Sequence, residues 1–274
     1  MATDRNLSPR SLAPALAVVL ALVAAPARGA EPVTERFEKT YELTGIHRVR
    51  LQNVNGPVRV LAWDKEVFRL EAVKKARGSR AEQNLHDTEI RVLKRGDSID
   101  VETILPKRGR WFGLFLFGDP RGAEVSYELK LPPAVVVEVE TVNGKIVAER
   151  RTGSLSLNTV NGSVRVESHD APLRVNTVNG SVDVAFVSGL KQADLETVNG
   201  SVVVACSRKS SIRYELQTVN GRIRSDFEGL TVEGKWGPRE ARGTLNGGAE
   251  RLSVETVNGE IRLVCPEEKD GLNR

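Results

Sequence analysis

Apolar and polar residues alternate along most of this chain, and one tetrapeptide cuts the alternation at regular intervals. The unit is clear in Leu155-Ser156-Leu157-Asn158-Thr159-Val160-Asn161-Gly162-Ser163-Val164-Arg165-Val166. A period of two with apolar residues on one side marks half-buried β-strands. Thr-Val-Asn-Gly occurs five times between Thr141 and Gly221 and again at Thr256–Gly259. A variant, Asn53-Val54-Asn55-Gly56, lies early in the chain, and a degenerate one, Thr244-Leu245-Asn246-Gly247, lies late. Successive repeat glycines are 18 (Gly144 to Gly162), 18 (to Gly180), 20 (to Gly200) and 21 (to Gly221) residues apart. Gly221 to Gly259 is 38, close to two units, with Asn246-Gly247 between them. Within a unit the apolar residues fall 7 and 5 positions before the glycine and 2 and 4 after it, as Leu173, Val175, Val182 and Val184 do.

Two all-β folds fit this pattern. Asn-Gly between alternating runs is a strong hairpin signal, so an antiparallel meander is one. The other is a single-chain β-solenoid with rungs of about 18–21 residues, in which the tetrapeptide stacks on itself. A hairpin needs Asn-Gly but has no use for Thr-Val before it each time, and this favours the solenoid. The expected corners are Asn55-Gly56, Asn143-Gly144, Asn161-Gly162, Asn179-Gly180, Asn199-Gly200, Asn220-Gly221 and Asn258-Gly259. Rows of Asn, Thr and Val should then run along the stack. Asn before Gly is expected in the left-handed turn conformation, serving backbone groups; the other reading is that the repeated Asn and Thr form a polar stripe for weak, multivalent contact with glycans or peptidoglycan.

The region from residue 31 to 133 reads as strands with interruptions. Ser79-Arg80-Ala81-Glu82 fits a capping box, which predicts one short helix over 79–86. Residues 107–122 break the rhythm. Lys107, Arg108 and Arg110 precede Trp111-Phe112-Gly113-Leu114-Phe115-Leu116-Phe117, which holds one of the three tryptophans and three of the seven phenylalanines. The segment reads either as a loop covering the end of the β-body or as an exposed apolar tip for a membrane or a partner, through Trp111, Phe112, Leu114, Phe115 and Phe117. The regular repeats occupy 134–265, and 266–274 is a polar tail.

Composition changes the picture in three places. Residues 1–27 carry Arg5 and Arg10, an uncharged apolar stretch from Leu12 to Ala25, and the small-x-small site Ala25-Pro26-Ala27. This reads as a secretory signal, with Ala30 as a second cleavage candidate, and predicts an exported, soluble, periplasmic or extracellular protein. The formal charge of +4 is a small excess over interleaved acids and bases, so nucleic-acid binding is not expected. Aromatics are 5% of residues, which predicts a thin core of β-branched side chains. Cys206 and Cys265 each lie six residues after a repeat glycine. Two or more rungs are expected between them, too far for a disulfide, so both should be buried free thiols.

The chemistry-bearing residues do not assemble in sequence. His47, His86 and His169 stand apart, and no metal-ligand spacing is visible. Ser168-His169-Asp170 are adjacent in the chain and cannot face one another as a triad does. Glu138, Glu140, Glu196 and Glu255 could line a groove of a polysaccharide-cleaving solenoid. They read better as solvated strand faces, and sugar-stacking aromatics are scarce in the repeats. No enzyme activity and no cofactor are expected.

Asn-Val-Asn-Gly followed by Val58-Arg59-Val60-Leu61-Ala62-Trp63-Asp64, the strand end Leu131-Pro132, the Thr-Val-Asn-Gly repeats and the run from Gly247 to Leu263 together resemble the bacterial "putative adhesin" domain family. The resemblance covers nearly all of the chain after residue 27. It implies a β-solenoid of the cell envelope and non-enzymatic envelope or surface work, linked in some members to envelope stress; the expected partner is an envelope component, protein or glycan. It supplies no catalytic residues, and the segment 111–117 is not part of the shared pattern.

Overall fold

The computed structural model describes residues 31–105, 122–186, 190–234 and 237–266. The signal-like segment, the aromatic residues 111–117 and the end of the polar tail lie outside the described residues.

The described strands form two ten-stranded sheets facing each other across one core. A rung is one strand in each sheet joined by the Asn-Gly corner. The first rung is β2 (Arg48–Gln52) and β3 (Val58–Ala62). Four more follow: β8 (Val136–Asn143) with β9 (Ile146–Glu149), β10 (Leu155–Asn161) with β11 (Val164–His169), β12 (Leu173–Asn179) with β13 (Val182–Phe186), and β14 (Ala193–Asn199) with β15 (Val202–Ala205). Neighbouring rungs pair in parallel with repeat positions in register, as in Leu155↔Leu173, Thr159↔Thr177 and Asn161↔Asn179. This is the solenoid reading. The residues 7 and 5 before and 2 and 4 after each glycine are the buried ones, except Ser225 after Gly221; Leu157, Val164, Val175, Val182, Leu195 and Val202 have no exposure. The core between the sheets is filled mainly by Val, Leu and Ile, with Phe68, Tyr127 and Tyr214 among them.

Antiparallel pairing, the meander alternative, is confined to the ends. At the N-terminal end β4 (Val67–Ala76) pairs antiparallel with β1 (Val33–Glu42) and with β7 (Glu124–Leu131), and β5 (Glu89–Arg95) pairs antiparallel with β6 (Ser98–Ile104). These strands end the two sheets where a bare parallel rung would expose unpaired backbone groups. The helix α1 (Ala81–Asp87) is where the sequence placed one, but the capping box does not form. Arg80 is the N-cap and makes no side-chain cap bond. The helix is held instead by burial of Ala81 and Leu85 against Ala76 and Ala123, and by Lys74, whose Nζ donates to the Leu85 carbonyl at 3.4 Å.

The C-terminal end departs from chain order. The strand after β15 is β16 (Ile212–Thr218), followed by β17 (Ile223–Ser225), β18 (Arg239–Leu245), β19 (Glu250–Asn258) and β20 (Ile261–Val264). The chain skips one level after β15, lays down β16 and β17, and returns to place β19 and β20 in the gap. β19 pairs in parallel with β14 on one side and β16 on the other, and β20 with β15 and β17. This corrects two expectations. Thr244-Leu245-Asn246-Gly247 is no rung corner, because β18 runs antiparallel to β16 and ends that sheet. Cys206 and Cys265 belong to adjacent rungs. Both are free thiols, Cys206 buried and Cys265 half-buried, but the separation expected between them does not exist.

Candidate functional site

The corners form three ladders along the stack. The Asn side chains donate Nδ2 to Oδ1 from rung to rung: Asn143 to Asn55, Asn161 to Asn143, Asn179 to Asn161, Asn199 to Asn179, Asn258 to Asn199 and Asn220 to Asn258, at 2.7 to 2.9 Å. The buried Thr hydroxyls of the corners after Thr141 donate to the glycine carbonyl of the adjoining rung, as Thr177 does to Gly162 at 3.1 Å and Thr197 to Gly180 at 3.0 Å, while Thr141 Oγ1 makes no such bond. In the first rung Asn53 stands where Thr would, and its Nδ2 donates to the carbonyls of Gly56 at 3.1 Å and Val125 at 2.9 Å.

The expected left-handed Asn is absent from these corners. Among the described residues the non-glycine residues with positive φ are Arg150, Ser168 and Asn246. Glycine is needed here for closeness. A Cβ on Gly162, Gly180, Gly200 or Gly259 would lie far inside van der Waals contact with the carbonyl of the glycine one rung away. Asn246-Gly247 does have the left-handed geometry, at φ 46° and 92°, and it is the copy that is not a corner.

The second repeat position faces outward, a consequence of alternation that the sequence reading did not draw. Val178, Val198, Val257 and Val219 are 38–42% exposed, and with Val142 and Val160 they make a continuous aliphatic stripe across the rungs. Two residues earlier on the same face, a parallel polar row reads Gln52, Glu140, Asn158, Asn176, Glu196, Glu255 and Gln217 in spatial order. The two rows line a groove of about 920 Å³ along the solenoid, with Glu233, Gly234 and Pro238–Glu240 at its β18 end. Six steps of about 4.8 Å make it roughly 29 Å long.

The groove is acidic although the chain is basic. Its lining holds Glu140, Glu196, Glu233 and Glu255, with Glu240 ion-paired to Arg242, against Arg239, whose guanidinium is tied to the Gly221 carbonyl. Glu140 accepts from Gln52 Nε2 at 2.9 Å, and Asn176 donates to Asn158 at 2.8 Å. Glu196 and Glu255 are in register on neighbouring strands, and no ion pair reaches either among the described residues. Basic residues sit elsewhere on mixed-charge faces, as in Arg50–Glu138 at 2.8 Å and Arg165–Asp183 at 3.3 Å.

A profile of the Toastrack DUF4097 family matches residues 76–264, from the end of β4 to the end of β20. The chain belongs to the Toastrack DUF4097 family. The Toastrack match agrees with the adhesin-like solenoid that the repeats resemble. No curated protein matches the chain. Solved structures similar to this Toastrack chain include a "putative cell adhesion protein" from Clostridium sporogenes (12% identity, 85% of this chain and 100% of that one, TM-score 0.44) and a "putative adhesin" from Bacteroides fragilis (10% identity, 84% and 97%, TM-score 0.45). A "putative lipid binding protein" from Parabacteroides distasonis is similar at 11% identity, 85% and 96% coverage and a TM-score of 0.32.

The Toastrack fold keeps the histidines apart. His169 is buried against Phe186, ring centroids 6.2 Å apart, while His47 lies in the connection before β2 and His86 on α1. Ser168, inside β11 at the break in its register just before His169, takes a φ of 55°. No three His, Cys, Asp or Glu side chains converge among the described residues, and no described helix is long and apolar enough to cross a membrane.

Proposed function

We propose that this protein is an exported, non-catalytic binding module of the cell envelope, adhesin-like in role, that holds an extended neutral glycan along the valine groove. The observation that carries the reading is the unbroken pairing of an aliphatic stripe with a polar row. Valine methyls offer a surface for the C–H faces of sugar rings, and the carboxamides and carboxylates beside them offer hydrogen-bond partners for hydroxyls. The rung repeat suits a ligand that is itself repetitive, with weak contacts summed along its length. The glutamates disfavour polyanions, so nucleic acids and phosphate-rich polymers are poor ligands despite the basic pI.

The test is co-sedimentation of the mature chain with insoluble neutral glycans and with cell-wall sacculi, heparin beads serving as the anionic control. The double variant Val178→Asp, Val198→Asp changes outward residues, so it keeps its circular dichroism spectrum. It should lose at least about tenfold in glycan affinity, since it places charge where apolar contact is needed. Equal retention of variant and wild type, or capture by heparin alone, sinks the reading.

The aromatic segment 111–117 is a second contact candidate. The described chain on either side of it touches the first rung: Thr103 Oγ1 donates to Asn53 Oδ1 at 3.0 Å, and the Val125 carbonyl accepts from Asn53. Flotation with liposomes, comparing wild type with Trp111→Ser, Phe115→Ser, separates a membrane role for that segment from the groove.

A further inference from the structure

β15 and β20 pair in parallel from Val202↔Ile261 to Ala205↔Val264. The ladder continues one residue further. The Cys206 N–H donates to the Val264 carbonyl at 3.1 Å, the bond that sets Cys206 opposite Cys265 in a parallel pair. Alternation turns both side chains to the same side. Val204 and Leu263, two residues earlier, have no exposure, and Cys206 and Cys265 both pack on the core cluster. In-register residues on adjacent strands stand about 4.8 Å apart, inside the range of about 4.4–6.8 Å that a disulfide spans between Cα atoms. Both cysteines lie just past the strand ends, where the backbone can adjust.

We propose that Cys206 and Cys265 are a thiol pair that oxidises to a disulfide and locks the inserted C-terminal rung to the rung it joins. The oxidant is a disulfide donor, either a small disulfide such as oxidised glutathione or an oxidoreductase of the exported compartment. Cys265 is the better exposed of the two, and burial pushes the Cys206 thiol up to about 11, so Cys265 attacks first. Its thiolate bonds to one sulfur of the donor, and the donor's other half leaves as a thiolate. Cys206 then loses its proton and attacks the Cys265 sulfur, expelling the second half. Two protein thiols lose two electrons, the donor disulfide gains them, and the two protons pass to the released thiolates. The bond closes a long loop that includes β16 to β19, which limits the unfolded chain more than a short loop would.

The experiment uses purified full-length chain, reduced and then exposed to oxidised glutathione under native conditions. Thiols that remain are alkylated after unfolding, and intact and peptide masses are read. The expected product is a monomer that takes up no alkyl group, is two hydrogens lighter, and yields a peptide joining Cys206 to Cys265. It should melt higher than the reduced protein, and Cys206→Ser should show no such gap and should carry glutathione on Cys265. Two alkylated thiols after oxidation, a stable mixed disulfide in the wild type, or dimers bridged between chains each overturn the proposal. Glycan binding is not read in this experiment, so its failure leaves the groove reading intact.

Discussion

Glycine, asparagine and threonine do different work at each corner, and substitutions should separate them. Gly180→Ala places a methyl against the Gly162 carbonyl, and that corner backbone, bonded to Asn179 and held between two paired strands, cannot give way cheaply. The expected loss is about 1–3 kcal/mol or more, read as a lower urea midpoint. Asn179→Ala removes two exposed ladder bonds, to Asn161 and from Asn199, and leaves the packing intact. Its cost should be nearer about 1–2 kcal/mol. A Gly180→Ala variant as stable as wild type would refute the close-approach argument. His169 makes a second prediction at this scale. Burial holds its pKa below the ordinary 6.5, with the Arg151 charge acting in the same direction. Around pH 6 the unfolded chain therefore binds a proton that the folded chain refuses. Its contribution to stability is full above about pH 6.5, falls as the pH drops below that, and levels off below the lowered folded pKa, at no more than about 1.4 kcal/mol per pH unit. Urea midpoints at pH 7.5 and 5.5 should fall less in His169→Gln than in wild type; an identical fall rules the histidine out. The importance of Gly and Asn was legible from repetition alone. The reason for it was not, because Asn-Gly signals a left-handed turn locally and only the next rung's carbonyl reveals why a side chain cannot be there.

At the scale of the strand and the rung, periodicity carried most of the information. Positions 7 and 5 before the glycine and 2 and 4 after it are buried, as Leu173, Val175, Val182 and Val184 show. The same alternation implies that the repeat valine, one residue from the corner Asn, faces out, yet valine is read by habit as core. The groove was therefore visible in the sequence as a pattern and missed as a surface. It also needs registry between strands from distant parts of the chain, such as Asn55 beside Asn143, which no single repeat displays. The helix shows the reverse case. Ser79 to Glu82 has the letters of a capping box, but tertiary burial of Ala81 and Leu85 places the helix, and the local bonds are not used.

For the molecule as a whole, the order of rungs in space differs from their order in the chain, and this governs how the protein can assemble. In an ordinary solenoid a terminal rung has one neighbour, so removing it costs one interface and exposes the next rung. Here the last rung has two. β19 pairs with β14 and β16, and β20 with β15 and β17. The Asn ladder passes through it as well, from Asn220 to Asn258 to Asn199. Until it arrives, β16 and β17 have no strand to join them to the body, and both sides of the gap expose ladder groups and apolar side chains. The sequence offered no sign of this, because Gly221 and Gly259 are 38 residues apart, as two successive rungs would also be. Deleting residues 250–274 should therefore do more than shorten the stack. It should abolish cooperative melting of the C-terminal half and expose β14 and β15 as open edges prone to aggregation. The comparison is a deletion of 31–42, which removes β1 from a sheet edge, breaking one strand pairing and the packing of Phe37 and Tyr41. Thermal melts followed by circular dichroism, with light scattering recorded alongside, should show the N-terminal deletion still melting in one transition and the C-terminal deletion losing its transition or aggregating. A C-terminal deletion that melts as sharply as wild type would mean that the inserted rung is dispensable.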